Sequence, residues 1–212
     1  MYQLFPELTV GWYYGNKTVS FLNAMGEIVR RAAAGLNLGA ADITFIGSSA
    51  GGYAALYSAA SLPGASALAH NPQITLADWP GRPEIERITG NDLQGPDPFR
   101  RNSIRWIAQA PASRLFLTVN TASPIDFDMQ ISPWLEEEDT PVVHPLTRCG
   151  STSLIFHETP GDRSHHIFPK QDHDLPLINA ISIDQSLGRE TTAAFIGNYA
   201  KATTAPSPGA TA

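Results

Sequence analysis

Apolar positions along this chain fall into two spacings. Short continuous runs, Ile43-Thr44-Phe45-Ile46, Ala65 to His70, Ser113 to Asn120 and Thr152 to His157, read as buried strands. Phe21, Leu22, Met25, Ile28, Val29 and Ala32 instead recur at helical spacing between about Val19 and Leu36, with Arg30 and Arg31 off the stripe. Gly35 and Gly39 stop that helix. Leu8 to Tyr14 is rich in β-formers and reads as a further strand ending at Gly15-Asn16. Short helices are predicted over 83–89 and 100–109, a helix broken by Pro133 over 129–138, and a last helix over 175–183 or around 191–199. Strands alternating with helices predict an α/β fold: a mostly parallel, doubly wound sheet with helices on both faces. Residues 1–200 form one domain on this reading. The Ala/Thr/Pro/Gly-rich tail, 201–212, is expected to be disordered.

One stretch stands out chemically. The Ile43–Ile46 strand breaks on Gly47-Ser48-Ser49-Ala50-Gly51, and an Ala-rich helix follows. A Gly-x-Ser-x-Gly between strand and helix is the setting of a nucleophile elbow. To lift one hydroxyl clear of a sheet edge the chain must turn within a few residues, which strains the Ser backbone. Side chains two residues to either side would collide, so glycine is expected at both places. Gly47 and Gly51 fill them around Ser49, whereas Ser48 has Ile46 and Ala50 there. The helix that begins at Ser49 turns its free N–H groups and positive dipole end toward any developing oxyanion. Small Gly52, Ala54 and Ala55 let it lie close on the sheet. The competing reading, a glycine-rich turn that cradles phosphate, lacks a neighbouring Lys and a Gly-x-Gly-x-x-Gly.

In this setting Gly-Ser-Ser-Ala-Gly-Gly-Tyr-Ala-Ala-Leu (47–56) resembles the α/β-hydrolase superfamily of serine esterases, lipases and peptidases. Together with Ala67-Leu68-Ala69-His70-Asn71-Pro72-Gln73, it is similar more narrowly to hydrolase-like proteins found beside bacterial surface-glycan machinery. The resemblance implies Ser, acid and His in that chain order, each on a loop at the carboxyl end of a strand. The chain supplies Ser49, then Asp126 or Asp128 after the 113–120 strand, then His165 or His166 after the 152–157 strand. Asp126 ranks first because it lies nearer the strand end; Asp128 can instead cap the following helix. His166 ranks ahead of His165 because Ile167-Phe168-Pro169-Lys170 resembles the His-x-x-Pro-x exit of related hydrolases. Asp162 reads as a turn residue beside Gly161, and His70, His144, His157 and His173 show no partner pattern. Asn71 and Gln73 either position substrate or satisfy the backbone of their turn. The resemblance also implies a first oxyanion donor at the Ala50 N–H and a cap, for which the irregular 74–112 stretch is the candidate insertion. The chain departs from the pattern at its front. About forty residues precede Gly47, enough for one strand and one helix where several strands are expected. The opening strands and the second oxyanion donor are thus missing, replaced or upstream of Met1, or the Trp12–Gly15 turn does that work.

Composition narrows the rest. With 212 residues, one domain with a sizeable core is expected. A net charge of −6 without a basic stripe argues against nucleic-acid partners. Arg100, Arg101 and Arg105 read as a solvated helix face, with attraction of an anionic substrate as the alternative. The single cysteine, Cys149, cannot form an internal disulfide. Met1–Glu7 lacks a signal peptide's basic start, and no run approaches the ~20 apolar residues of a membrane span, so a cytoplasmic protein is the default. No cofactor is called for. His165, His166, Asp172, His173 and Asp174 could be read as a metal cluster, but adjacent histidines point different ways and His-x-x-x-His spacing is absent. The function expected is a serine hydrolase that cleaves a small-molecule or glycan ester through a Ser-His-Asp triad and an acyl-enzyme. The alternatives are an acyltransferase acting on a sugar or glycan, and a catalytically silent hydrolase-fold accessory protein. A sheet without its first strands would expose an edge for another chain, so a homo-oligomer is one expected assembly.

Overall fold

The computed structural model describes residues 12–13, 15–16, 18–90, 92–93, 114–158 and 177–178. Strands β1 (Thr44–Ser48), β2 (Ser66–His70), β3 (Arg114–Asn120), β4 (Leu146–Cys149) and β5 (Thr152–His157) form one sheet in the order β1-β2-β3-β5-β4. β1, β2, β3 and β5 run parallel, and β4 is antiparallel to β5. The four predicted runs become the four parallel strands. β2 and β5 are buried along their whole length, as continuous apolar sequence suits, whereas β1, at the end of the strand order, is only half-buried with Ile46 exposed and so is not the buried strand expected. The architecture is therefore α/β with a mostly parallel sheet.

Alternate residues divide the sheet into two faces. Ala67, Ala69, Leu115, Leu117, Leu154 and Phe156 share one face and pack with Leu56 and Ala59 of α2 (Ala50–Ala60), and with Trp134 and Leu135 of α4 (Ser132–Glu137). The other side of α2, Tyr53, Ala54 and Tyr57, meets Trp12, Leu22 of α1 (Phe21–Gly35) and Ile85 of α3 (Arg82–Thr89). Helix α2 is thus sandwiched between the sheet and a second layer. That position explains why Gly52 to Ala59 are all buried and why the helix has almost no polar side.

Several details differ from the sequence reading. Trp12 and Tyr13 are not extended: they sit in a turn with φ of 46° and 55°, values that exclude a strand. Pro133 does not break a helix but opens one. Lying in the first turn of α4, it gives up no internal hydrogen bond, and a π-helical turn, Phe127–Ile131, precedes it. Strand β4 was not foreseen, although Gly150-Ser151 is a two-residue hairpin signal and Gly150 has φ of 56°. On α1 the buried positions are Leu22 and Ala33, while Ile28 is exposed: the helix packs chiefly on α2, with Leu22 also meeting Trp12 and Ile85. The predicted 100–109 helix with Arg100, Arg101 and Arg105, most of the last helix, the 201–212 tail and residues 8–11 lie outside the described residues. Leu177 and Ile178 are helical, and Leu177 is fully buried. Among the described residues no helix is long and apolar enough to cross a membrane.

The glycine requirement at the bend falls on Gly47 and Gly52 rather than on Gly47 and Gly51. A side chain at Gly47 would run into the Gly51 carbonyl, and one at Gly52 would lie 2.9 Å from Pro72 Cβ, whereas a side chain at Gly51 meets nothing within 4 Å. In chemical denaturation Gly47→Ala is expected to lose about 3 kcal/mol or more, and Gly52→Ala about 1–3 kcal/mol. Gly51→Ala, in the first turn of α2, should gain up to about 1 kcal/mol.

Candidate active site

Because β1, β2, β3 and β5 are parallel, their carboxyl ends open at one edge. Ser49 leaves β1 there, Asn71 leaves β2, Thr121 leaves β3 and His157 ends β5. Ser49 has φ of 52° and ψ of −122°, a conformation that costs an L-residue on the order of 1–3 kcal/mol. Two backbone hydrogen bonds hold it: its N–H donates to His70 O at 2.9 Å and its carbonyl accepts from Tyr53 N at 3.1 Å. The first prolongs the β1–β2 ladder by one residue, and the second is the first turn of α2. The Ser49 side chain makes no capping hydrogen bond, so it leaves the leading amides of α2, Ala50 N–H first among them, uncapped.

Gln73 meets the serine. Its Nε2 donates to Ser49 Oγ at 2.8 Å, and its Oε1 accepts from Trp12 Nε1 at 2.7 Å. Gln73 and Trp12 are both buried, and the Trp12 ring stacks edge-on against Trp79. Since Oγ serves as acceptor, its own proton is free to be donated, and no hydrogen bond from it to a described residue is present. Asn71 has the other fate foreseen for it. With φ of 41°, it donates its N–H to Thr118 O at 2.8 Å, and its Oδ1 accepts from Asn120 N at 2.7 Å, so it splices the ends of β2 and β3. Gln130 Oε1 accepts from the Ile74 and Thr75 amides at 2.8 and 3.0 Å, which braces the same exit turn.

Asp126 and Asp128 separate sharply. Asp128 is exposed in the π-helical turn and caps nothing. Asp126 is fully buried after β3. Among the described residues neither of its carboxylate oxygens meets a donor at good hydrogen-bonding geometry, although the Ser123 hydroxyl, which accepts from the Asp126 amide at 3.4 Å, lies close. Burial pushes this carboxyl up to about 7, against a smaller downward pull from Ser123. His165, His166 and Asp162, with the rest of the proposed metal cluster, lie outside the described residues. Among those described, no group of three or more His, Cys, Asp or Glu side chains is placed to hold a metal ion.

Two histidines passed over in the sequence belong to this edge. His70 Nδ1 shares a hydrogen bond with Thr118 Oγ1 at 2.7 Å. His157 is buried at the end of β5, and burial, reinforced by the nearby charge of His70, holds its imidazole down at about 4. Their position at the last residue of a parallel strand was the available signal, since that is where such sheets bind and react.

A mostly parallel α/β sheet with a strained serine at its carboxyl edge is the class that these elements define. The sequence matches no protein-family model and no curated protein. Among solved structures it is similar to the "Glycosylation Associate Protein (Gap123) complex from Streptococcus agalactiae", with 15% identity and a TM-score of 0.48; the alignment covers 70% of this chain and 30% of that one.

Asp126 and His157 oppose each other in pH dependence. Between about 4 and 6.5 the unfolded chain binds a proton on residue 157 that the folded protein refuses, so this group makes stability rise with pH. Between 3.8 and about 7 the folded protein keeps a proton on Asp126 that the unfolded chain releases, so this group makes stability fall with pH. Urea unfolding of the wild type should therefore change little between about pH 4.5 and 6. Asp126→Asn should leave a rise with pH across that window and His157→Gln a fall, each by up to about 1.4 kcal/mol per pH unit.

Proposed function

We propose that this chain is a serine hydrolase of the carboxylic-ester type, built like the elbow-bearing half of an α/β-hydrolase, with Ser49 as its nucleophile. The observation that carries the reading is the Ser49 backbone, held at φ 52° and ψ −122° between a parallel strand and a buried helix. Such strain persists where the surroundings over-determine it, and it clusters at reactive residues. A donor on Oγ together with an uncommitted hydroxyl proton suits a serine that hands its proton to a base.

In the proposed reaction His166, or His165 in its place, takes the Ser49 proton while Oγ bonds to the acyl carbon. The carbonyl electron pair moves onto oxygen beside the Ala50 N–H, and the tetrahedral adduct expels the alcohol, which takes the proton back. Asp126 orients the imidazole. The exits of β1 and β3 are two strand spacings apart, about 10 Å, a gap that one imidazole with a hydrogen bond on each side can bridge. Water then cleaves the acyl-enzyme.

Fluorophosphonate labelling and turnover of a short-chain aryl ester test the reading. Wild-type protein should label on Ser49. Ser49→Ala should lose labelling and at least about 10³-fold in turnover with its melting temperature kept. Undiminished turnover in that variant, or a wild type inert to the probe, would overturn it. Added mono- or oligosaccharides that draw off the acyl group would identify a sugar hydroxyl, rather than water, as acceptor.

A further inference from the structure

We propose that the Gln73 side-chain amide is the second oxyanion donor of this site and that Trp12 is the positioning residue that keeps it donating. The proposal rests on the hydrolase reading above and names the donor that the reading needs beside the Ala50 N–H.

The orientation of the amide follows from chemistry. An indole nitrogen donates and cannot accept. Trp12 Nε1 lies 2.7 Å from one end of the Gln73 amide, so that end must be the carbonyl oxygen, and the NH2 end must be the one 2.8 Å from Ser49 Oγ. Turning the amide over would set its N–H against the Trp12 N–H, and both residues are too buried for water to compensate. Trp12 is itself anchored among Leu22, Tyr53 and Leu76 in the layer above α2.

The placement suits an oxyanion. On attack, Oγ bonds to the acyl carbon, the carbonyl electron pair shifts to its oxygen and the Ser49 proton leaves for the base. That oxygen is two bonds from Oγ, so an NH2 group 2.8 Å from Oγ lies within hydrogen-bonding reach of it and can join the Ala50 N–H as a donor. The donor is also rigid. Asn71 is tied to Thr118 and Asn120 two residues before it, and Gln130 holds the Ile74 and Thr75 amides immediately after it. Donors fixed in advance, in a site shielded from water, are the ones that lower a barrier.

The test compares wild type, Gln73→Met, Trp12→Phe and the double variant. It reads the rate constant for fluorophosphonate labelling of Ser49, kcat and KM for an aryl ester, and the melting temperature. Gln73→Met should lower labelling and kcat by about 10²-fold with KM within about threefold. Trp12→Phe, which retains a ring against Trp79 but no N–H, should lower kcat by roughly tenfold and leave KM in place, and should add nothing on top of Gln73→Met. A folded Gln73→Met that labels within about twofold of wild type overturns the proposal while leaving the hydrolase reading intact. A wild type that never labels overturns both. Should Gln73→Met fail to fold, Gln73→Glu takes its place: it keeps the acceptor for Trp12 and turns an oxygen toward Ser49, so wild-type rates in that variant overturn the proposal as well.

Discussion

A peptide carbonyl set where a side chain would otherwise be governs the carboxyl edge of the sheet. The Gly51 carbonyl occupies the space in which a Cβ on Gly47 would sit, so the last turn of β1 and the first turn of α2 are pressed together as closely as two backbones can be. The chain has one residue, Ser49, in which to reverse between them. It does so through positive φ, and the His70 carbonyl and the Tyr53 amide then hold both of its backbone groups. Release would need α2 to move, and α2 is buried between the sheet and the layer that holds Trp12, Leu22 and Ile85. Local strain of on the order of 1–3 kcal/mol is small beside the burial of Tyr53, Leu56 and Ala59.

The parallel sheet extends that constraint sideways. Its interior is apolar, yet the last turns of its strands carry buried polar groups: His70, Asn71, Thr118, Asn120 and His157. Hydrogen bonds run from strand exit to strand exit: Asn71 to the Thr118 carbonyl and the Asn120 amide, His70 to the Thr118 hydroxyl, Thr121 to the His157 carbonyl. Exit loops that would otherwise be independent are thereby held in fixed relation. Gln73 inherits this rigidity through two neighbours and transmits it to Ser49.

β2, β3 and β5 were legible because burial on both faces leaves unbroken apolar runs, half-buried β1 because of its β-branched residues, and the bend because few residue types can make it. What escaped the sequence was decided by packing. Leu146-Thr147-Arg148-Cys149 is too short and mixed to show a period, and it becomes a strand by pairing with β5. Trp12 and Tyr13 are strong β-formers, yet a buried indole with its N–H on Gln73 outweighs that propensity and bends the chain. Gly51 and Gly52 are indistinguishable in a motif; only the position of Pro72 shows which one is crowded. Asn71 and Gln73 looked equivalent on their turn. Strand alternation would have put both on one side; the positive φ of Asn71 breaks it, so one side chain goes to the Asn120 amide and the other to Ser49. The choice between His165 and His166 belongs to residues outside those described.

Asp126 links this geometry to reactivity through its proton. A fully buried carboxyl is more stable neutral, and burial raises Asp126 to about 7 against a smaller downward pull from Ser123. On the hydrolase reading it must instead be an anion facing an imidazole. The two conditions are compatible because the same low-dielectric surroundings that disfavour an isolated carboxylate strengthen its bond to a cation. An imidazole that gains the serine proton beside Asp126 becomes that cation, so the carboxylate is stabilised most when the transition state needs it. Asp128, exposed to solvent, lies in no such low-dielectric surroundings, which on the hydrolase reading is the physical ground for assigning the role to the buried member of the pair.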